Sequence, residues 1–307
     1  MSFLNALPGA VAQGLIWGLM AIGLYISYKI LDIADLTVDG SICTGACVCA
    51  VLITNGVPAG VAIIVAFLAG ALAGAVTGLF HTAMGIPPIL SGILTQLILW
   101  SLNLKILGKA NMSLSARKYD VLLSSLKNPM AIVVGALFCA AIIVVLWLFF
   151  YTEIGLSIKS TGDNQEMSRA QGINVNVNKV IGLAISNGIV ALSGALLAQY
   201  QGFADINMGR GAIVIGLAAI IIGLSVSLKI KPNFVVSLIG VVGGSIIYYI
   251  VYTLVIELGL DTDLLKMLSA IVVAIFLAAP YLKKTYFTKN KTPITDGSAD
   301  NGGSDNA

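Results

Sequence analysis

Charged residues are scarce in this 307-residue sequence, and histidine is almost absent. Only 10% of the residues are charged, and His81 is the single histidine. An average soluble domain carries about 25% charged residues. Because 58% of the chain is hydrophobic, it cannot supply a polar shell around a soluble core of this size. The composition therefore predicts an integral membrane protein.

The motifs that usually carry enzyme chemistry are also missing. The sequence has no Gly-x-x-x-x-Gly-Lys-[Ser/Thr] phosphate loop, no paired acid and base, and no nucleophile elbow. Its four cysteines lie in apolar stretches without Cys-x-x-Cys spacing, which favours packing over metal binding. No basic face or aromatic platform suits nucleic acid. We expect no enzyme activity, no metal and no cofactor, so any ATP would be bound by a separate subunit.

Long charge-free intervals indicate how often the chain crosses the membrane. Residues 40–104 contain no Asp, Glu, Lys or Arg, which is enough for about three helices of about 20 residues each. Turn signals at 55–58 and 85–88 divide this interval. Further charge-free runs cover 1–28, 128–152, 180–204, 211–228, 232–256 and 267–282. The sequence predicts an all-α polytopic membrane protein with about nine spans (eight to ten).

The two ends of the chain are expected on opposite sides of a bacterial plasma (inner) membrane. Lys and Arg in the loops favour a cytoplasmic C-terminus and an extracytoplasmic N-terminus. The N-terminal segment has no basic region before its apolar run, which predicts a retained span and not a signal peptide. Residues 1–287 form one membrane domain. The polar stretch 288–307 is predicted to be a disordered tail.

Three carboxylates, Asp32, Asp35 and Asp39, follow the first span. Their spacing places them near one face of a helix, and acidic groups at membrane depth usually face a cavity or a partner. Asp39 before Gly40-Ser41 also predicts a helix start that Asp39 caps. A broken second helix, with exposed amides lining a cavity, would use the same residues. Structural capping and contact with a solute therefore both remain open.

The polar segment 153–179 separates two predicted spans and would lie in the cytoplasm. Asp163 is followed three residues later by Glu166, the arrangement of a capping box, and Gly172 suits the position after a helix end. These features predict a short helix at about 164–171. It either transmits the motion of a partner or is an ordinary amphipathic loop.

Uncharged polar and small residues recur within the spans. Gln96, Asn187 and Gln199 are expected to form hydrogen bonds between helices, or else to line a path for a polar solute. Glycines spaced by four predict close helix packing inside the chain, with contact between two copies as the alternative. These glycines are Gly14 and Gly18, then Gly70, Gly74 and Gly78, and Gly240 and Gly244.

Three stretches resemble the permease subunits of ATP-binding-cassette (ABC) importers. Asp35-Leu-Thr-Val-Asp-Gly-Ser41 is similar to a stretch of the sugar permeases. The segment 155–179, containing Gly172-Ile-Asn-Val-Asn-Val-Asn-Lys179, is similar to the coupling region of ribose-type and branched-chain amino acid permeases. Ser193-Gly-Ala-Leu-Leu-Ala198 matches the span that follows. The resemblance extends in order from about residue 10 to 282.

Within that superfamily, Ala34–Ser41 and Gly108-Lys-Ala-Asn-Met112 look most like a branch grouped with tryptophan/tyrosine-type uptake systems. This resemblance implies transport of an amino acid, possibly an aromatic one. Residues 223–231 depart from the family because they lack the Gly-Gly-rich turn of the sugar and branched-chain permeases. Branched-chain amino acids, sugars and nucleosides therefore stay open as substrates.

The resemblance implies a type II-like importer permease fold and several partners. These are a cytoplasmic ATPase subunit, an extracytoplasmic solute-binding protein, a second copy of the chain and membrane lipid. It implies ATPase coupling by Thr161, Asp163, Asn164, Gln165, Glu166, Arg169, Gly172 and Ile173. The residues predicted to line the translocation path are Asp35, Thr37, Asp39, Gln96, Asn187 and Gln199.

The rival interpretation is a stand-alone secondary transporter or channel. A carrier driven by protons or sodium usually has ionisable residues deep in its spans. From residue 40 onward the predicted span interiors contain essentially none. The cluster Asp32–Asp39 would be the only candidate coupling site of such a carrier.

Overall fold

A computed structural model of the chain describes residues 2–115, 118–125, 128–227 and 233–257, with isolated positions 267, 270, 271, 274 and 278. These ranges contain ten α-helices and two three-residue strands. The helices are α1 (Ser2–Tyr25), α2 (Val38–Thr54), α3 (Ala59–Thr82), α4 (Pro88–Leu107), α5 (Asn128–Phe150), α6 (Glu153–Asp163), α7 (Gln165–Ala170), α8 (Val175–Gln201), α9 (Ala212–Ser227) and α10 (Phe234–Glu257). Strands β1 (Asn111–Ser113) and β2 (Phe203–Asp205) pair antiparallel.

Six of these helices are long and apolar enough to cross a membrane: α1, α3, α4, α5, α8 and α10. A π-helical turn, Ile26–Ile30, extends α1. Helices α2 and α9 are apolar but shorter, with 17 and 16 residues. The predicted all-α, multi-pass membrane protein is confirmed. The predicted span at 267–282 and the tail 288–307 fall almost entirely outside the described residues.

The helix ends follow the turn residues of the sequence. Helix α2 ends before Gly56 (φ 86°), and α3 ends before Gly85 (φ 68°). Such left-handed conformations suit glycine and stop a helix. Pro58 and Pro87 then stand at the N-caps of α3 and α4. Both predicted breaks, at 55–58 and 85–88, are confirmed.

Helix α8 lies at the centre of the bundle, between α1, α2 and α3. Gly70 and Gly74 of α3 face Ala191 and Asn187 of α8 without intervening side chains. The other glycine stripes pack inside the chain as well: Gly78 meets α8, Gly14 and Gly18 meet α10, and Gly240 and Gly244 meet α9. Packing within the chain is therefore confirmed for these stripes. The four cysteines are buried free thiols, as predicted for packing residues.

One helix contact allows a direct test of this packing. A methyl group built on Gly45 of α2 would overlap the backbone of Ala191 in α8, whereas one built on Gly60 of α3 meets nothing. We expect Gly45→Ala to lower the free energy of unfolding by about 1–3 kcal/mol, because overpacking forces the backbones apart. Gly60→Ala should be neutral or stabilise by up to about 1 kcal/mol. Thermal unfolding of the detergent-solubilised proteins checks this, and equal midpoints for the two variants would contradict it.

Candidate functional site

A buried polar network lies near the middle of α8, a helix about 40 Å long. The Nδ2 group of Asn187 donates to Oδ2 of Asp35 at 2.6 Å, and Ser41 Oγ donates to Asn187 Oδ1 at 2.6 Å. Asp35 Oδ1 also accepts the Thr37 N–H at 2.9 Å. Asp35 is 1% exposed and Asn187 is fully buried. The network joins the non-helical segment before α2 to α2 and α8.

A chain of hydroxyl groups fixes the same segment to two further helices. Thr37 Oγ1 lies 2.7 Å from Thr77 Oγ1 in α3, and Thr77 Oγ1 donates to Thr95 Oγ1 in α4 at 2.9 Å. All three residues are buried. Non-helical backbone exposes amide groups that need partners wherever water is excluded. The predicted path residues Asp35, Thr37 and Asn187 are thus brought together, with their polar atoms already bonded.

Asp39 makes a contact different from the one predicted. The N-cap of α2 is Thr37, and Asp39 lies in the first turn. Its carboxylate accepts the N–H groups of Gly211 at 3.0 Å and Ile213 at 2.9 Å. The prediction that Asp39 caps its own helix was wrong, because the starts of α2 and α9 lie side by side and the free amides of α9 need acceptors.

A cleft of about 140 Å³ opens beside Asp39, between α2, α4 and the segment before α9. It contains two predicted path residues, Asp39 and Gln96. It also contains three residues that we did not predict: Trp100, Asn103 and Arg210. Gln96 and Asn103 are seven positions apart on α4, a spacing that places both on one helix face and could have revealed Asn103. The complete lining is Asp39, Gly40, Cys43, Gln96, Leu97, Trp100, Asn103, Ile206 and Arg210.

Gln199 lies apart from this cleft. It is fully buried near the end of α8. Its Oε1 accepts the Leu122 N–H at 2.9 Å, and its Nε2 lies 3.4 Å from Cys49 Sγ. Gln199 therefore holds the segment that follows β1 against the bundle.

The polar segment 153–179 folds into two short helices, α6 and α7. Asn164 lies between them in an extended conformation, and its side chain accepts the Met167 N–H at 2.9 Å. The predicted cap, Asp163, instead ends α6, so the prediction was wrong by one residue. Gly172 (φ 79°) follows the end of α7 as predicted, and the Ile173 N–H closes the turn on Ser168 O at 3.0 Å.

Helix α6 is attached to the ends of two spanning helices. Gly162 lies directly against the Ile30 carbonyl at the end of the π-helical turn. Asn178 of α8 donates to Thr161 Oγ1 at 3.0 Å, and Thr161 is 1% exposed. Ser160 Oγ lies 2.9 Å from Ser168 Oγ and so links α6 to α7. These contacts connect α7, through α6, to the ends of α1 and α8.

The outer surface of this helix pair is exposed. The side chains of Glu166 and Arg169 are 84% and 54% exposed and form an ion pair at 3.2 Å. Among the predicted coupling residues, Thr161 is buried, and Gln165 and Ile173 are half-buried. The exposed ones are Asp163, Asn164, Glu166, Arg169 and Gly172.

Comparisons with known proteins identify the family of this chain. Residues 7–279 match the family described as the permease component of branched-chain amino acid transport systems. The chain is 40% identical over 275 residues to a tyrosine transport system permease protein of Clostridioides difficile (strain R20291), covering 90% of this chain and 91% of the relative. It is also 35% identical over 278 residues to an uncharacterised protein of Rickettsia prowazekii (strain Madrid E), covering 90% and 98%. No solved structure gives a significant match. The chain therefore belongs to the family of branched-chain amino acid transport system permease components.

Proposed function

We propose that this chain is the membrane-spanning subunit of an ATP-driven importer for a small solute, and that this solute is an aromatic amino acid such as tyrosine. The main support for coupling to ATP hydrolysis is the exposed helix α7, which is attached through α6 to the spanning helices α1 and α8. The relative that transports tyrosine supports the substrate class.

The proposed fold has nine spans and a broken second helix. Residues 31–37 would lie inside the membrane. Helix α2 would begin there, since its 17 residues are at the short limit for a full crossing. Non-helical backbone at that depth is tolerated only where protein buries it. The buried bonds of Asp35 and Thr37 meet this requirement. With the C-terminus in the cytoplasm, α6 and α7 lie on the cytoplasmic side and the N-terminus outside.

Coupling requires that ATP and the solute each favour one conformation over another. In our proposal the exposed residues of α7 sit on the ATPase subunit. Closure of the ATPase pair would move α6, which contacts Ile30 at the end of α1 and Asn178 at the start of α8. The segment after Ile30 leads to Asp35, and α8 carries its partner Asn187. A movement of α7 would thereby displace the buried polar network of Asp35 and Asn187.

The remaining partners follow from the same proposal. An extracytoplasmic binding protein would select the solute, and a second copy of the chain would complete the path. The chain itself would hydrolyse no ATP and hold no cofactor. Its outer apolar side chains would contact the lipid of a bacterial inner membrane, since Leu72, Val133 and Leu137 are more than two-thirds exposed.

Co-purification and uptake together test this function. We would tag the chain, solubilise bacterial membranes and identify the co-eluting proteins by mass spectrometry. A stoichiometric ATPase with a phosphate-binding loop is expected, as is ATP-dependent tyrosine uptake when the binding protein is added to proteoliposomes. Elution of the chain alone, with uptake that needs no ATP, would instead establish a secondary transporter. Unlabelled phenylalanine, tryptophan, leucine, ribose and adenosine as competitors would define the solute class.

A further inference from the structure

We propose that the cleft bordered by Trp100, Asn103 and Arg210 is where the passing amino acid binds within the membrane. Arg210 would take its carboxylate, and Asn103 the hydroxyl at the end of an aromatic side chain. This inference rests on the proposed import function. It adds the site at which the permease would distinguish one amino acid side chain from another. It requires a binding surface that is polar at two ends and apolar between them.

Asn103 is the first observation that points to a ligand. It is fully buried, and neither its Nδ2 nor its Oδ1 has a hydrogen-bond partner among the described residues. Buried side-chain amides are normally paired, because leaving them unpaired costs folding free energy. An amide can both donate and accept, so it can satisfy a hydroxyl group in both directions. An unpaired polar side chain beside a cleft is suited to form a hydrogen bond with a ligand that enters the cleft.

The charges around the cleft suit a zwitterion. Arg210 is exposed and has no ion pair with any described residue, although Asp39 also lines the cleft. The Asp39 carboxylate accepts the two N–H groups of α9, yet an ionised carboxylate has about four acceptor positions. A free α-carboxylate can therefore bind the Arg210 guanidinium, preferably with two hydrogen bonds. An α-ammonium group can use the remaining acceptor positions of Asp39.

The lining of the cleft also includes apolar side chains, and its volume is suitable for an aromatic ring. Trp100 is 41% exposed, and its indole lines the cleft together with Leu97 and Ile206. The cleft volume of about 140 Å³ is close to that of an apolar protein cavity that binds benzene, about 150 Å³. A six-membered aromatic ring can stack against an indole. The cleft thus fits tyrosine better than phenylalanine, which has no group for Asn103.

Uptake of tyrosine and phenylalanine by the reconstituted complex tests the site. The binding protein selects first, but it is the same for every variant, so the ratio of the two uptake rates isolates the permease. We expect Asn103→Leu to lower the tyrosine rate about tenfold and the phenylalanine rate less than twofold. We expect Arg210→Gln to lower both about tenfold, with partial recovery in Arg210→Lys. The effect should fall on kcat, since the binding protein sets the apparent KM.

Two controls separate binding from folding. Ser101→Ala changes a nearby exposed position of α4, where the hydroxyl donates one long hydrogen bond of 3.5 Å to Leu97 O. This variant should transport like the wild type. Asn103→Leu removes an unpaired amide and should unfold at the same temperature as the wild type or higher. If it fails to fold, Arg210→Gln still decides the matter, because that exposed side chain has no described partner.

The outcomes distinguish this proposal from the function on which it rests. Wild-type rates for both amino acids in Asn103→Leu and Arg210→Gln would overturn the cleft while leaving the importer intact. An unchanged tyrosine-to-phenylalanine ratio in Asn103→Leu would overturn the role of Asn103. Stabilisation of the purified chain by millimolar tyrosine, lost in Arg210→Gln, would support the cleft even if no ATPase co-purified.

Discussion

Replacing Asn187 by leucine is expected to destabilise the folded protein by about 2–4 kcal/mol. The change removes the partner of both Asp35 Oδ2 and Ser41 Oγ. Each buried polar group left without a partner costs about 1–3 kcal/mol, and the apolar side chain offers no hydrogen bond in exchange. Thermal unfolding in detergent should show a lower midpoint, and less protein should elute as a single species in size-exclusion chromatography.

Asn176→Leu provides the matched control. Asn176 lies in the first turn of the same helix but is exposed, so its replacement should change the free energy of unfolding by less than about 0.5 kcal/mol. Ser41→Ala should destabilise the wild-type protein and add less in the Asn187→Leu background, since residues in one network are coupled. Equal unfolding midpoints for Asn187→Leu and Asn176→Leu would show that the network does not hold the segment before α2.

The regular parts of this fold were accessible from the sequence because their causes are local. A long run of residues without charge predicts a helix in a membrane. Gly56 and Gly85 end helices through their own backbone conformation. Gly172 was predicted correctly for the same reason. Asp163 was not, since two adjacent residues can both cap and α6 continues through the first of them. The local sequence therefore predicts the existence of a helix, and it places the start of that helix to within about one residue.

The candidate site was accessible only in part because its contacts are distant in sequence. Asp39 bonds to amides of residues 211 and 213, and nothing near Asp39 in the sequence indicates this. Asn103 shares a helix face with Gln96 and could have been found from that spacing. Arg210 could not, because in sequence it is one cation in a short connection between two apolar runs. Only the return of that connection toward the start of α2 brings it to the cleft.

Reversing the charge of Glu166 on the exposed helix α7 is expected to reduce uptake at least tenfold without unfolding the chain. The ion pair of Glu166 with Arg169 is at the surface, with side chains 84% and 54% exposed, and such pairs contribute only about 0–1 kcal/mol. Glu166→Lys should therefore insert and unfold like the wild type. In the proposed importer the new positive charge would face the ATPase subunit. A charge that no longer complements the partner surface weakens the complex.

Gly172→Val tests the role of α7 by changing the backbone conformation at the end of the helix. Gly172 has φ 79°, a conformation that a β-branched residue adopts only with strain, so the end of α7 should shift. We expect ATP hydrolysis by the reconstituted complex to continue while the ratio of solute imported to ATP hydrolysed falls several-fold.

Asp120→Lys is the matched charge reversal for Glu166→Lys. Asp120 is exposed in the segment after β1, at the opposite end of the bundle from α7, and its replacement should leave the transport ratio unchanged. Normal ATP-dependent uptake in both Glu166→Lys and Gly172→Val would remove α7 from the coupling path. The attachments of α6 to Ile30 and Asn178 would then be structural contacts alone. A reduced ratio in Asp120→Lys as well would mean that the loss reflects surface charge in general, so only a loss confined to the α7 variants assigns coupling to this helix.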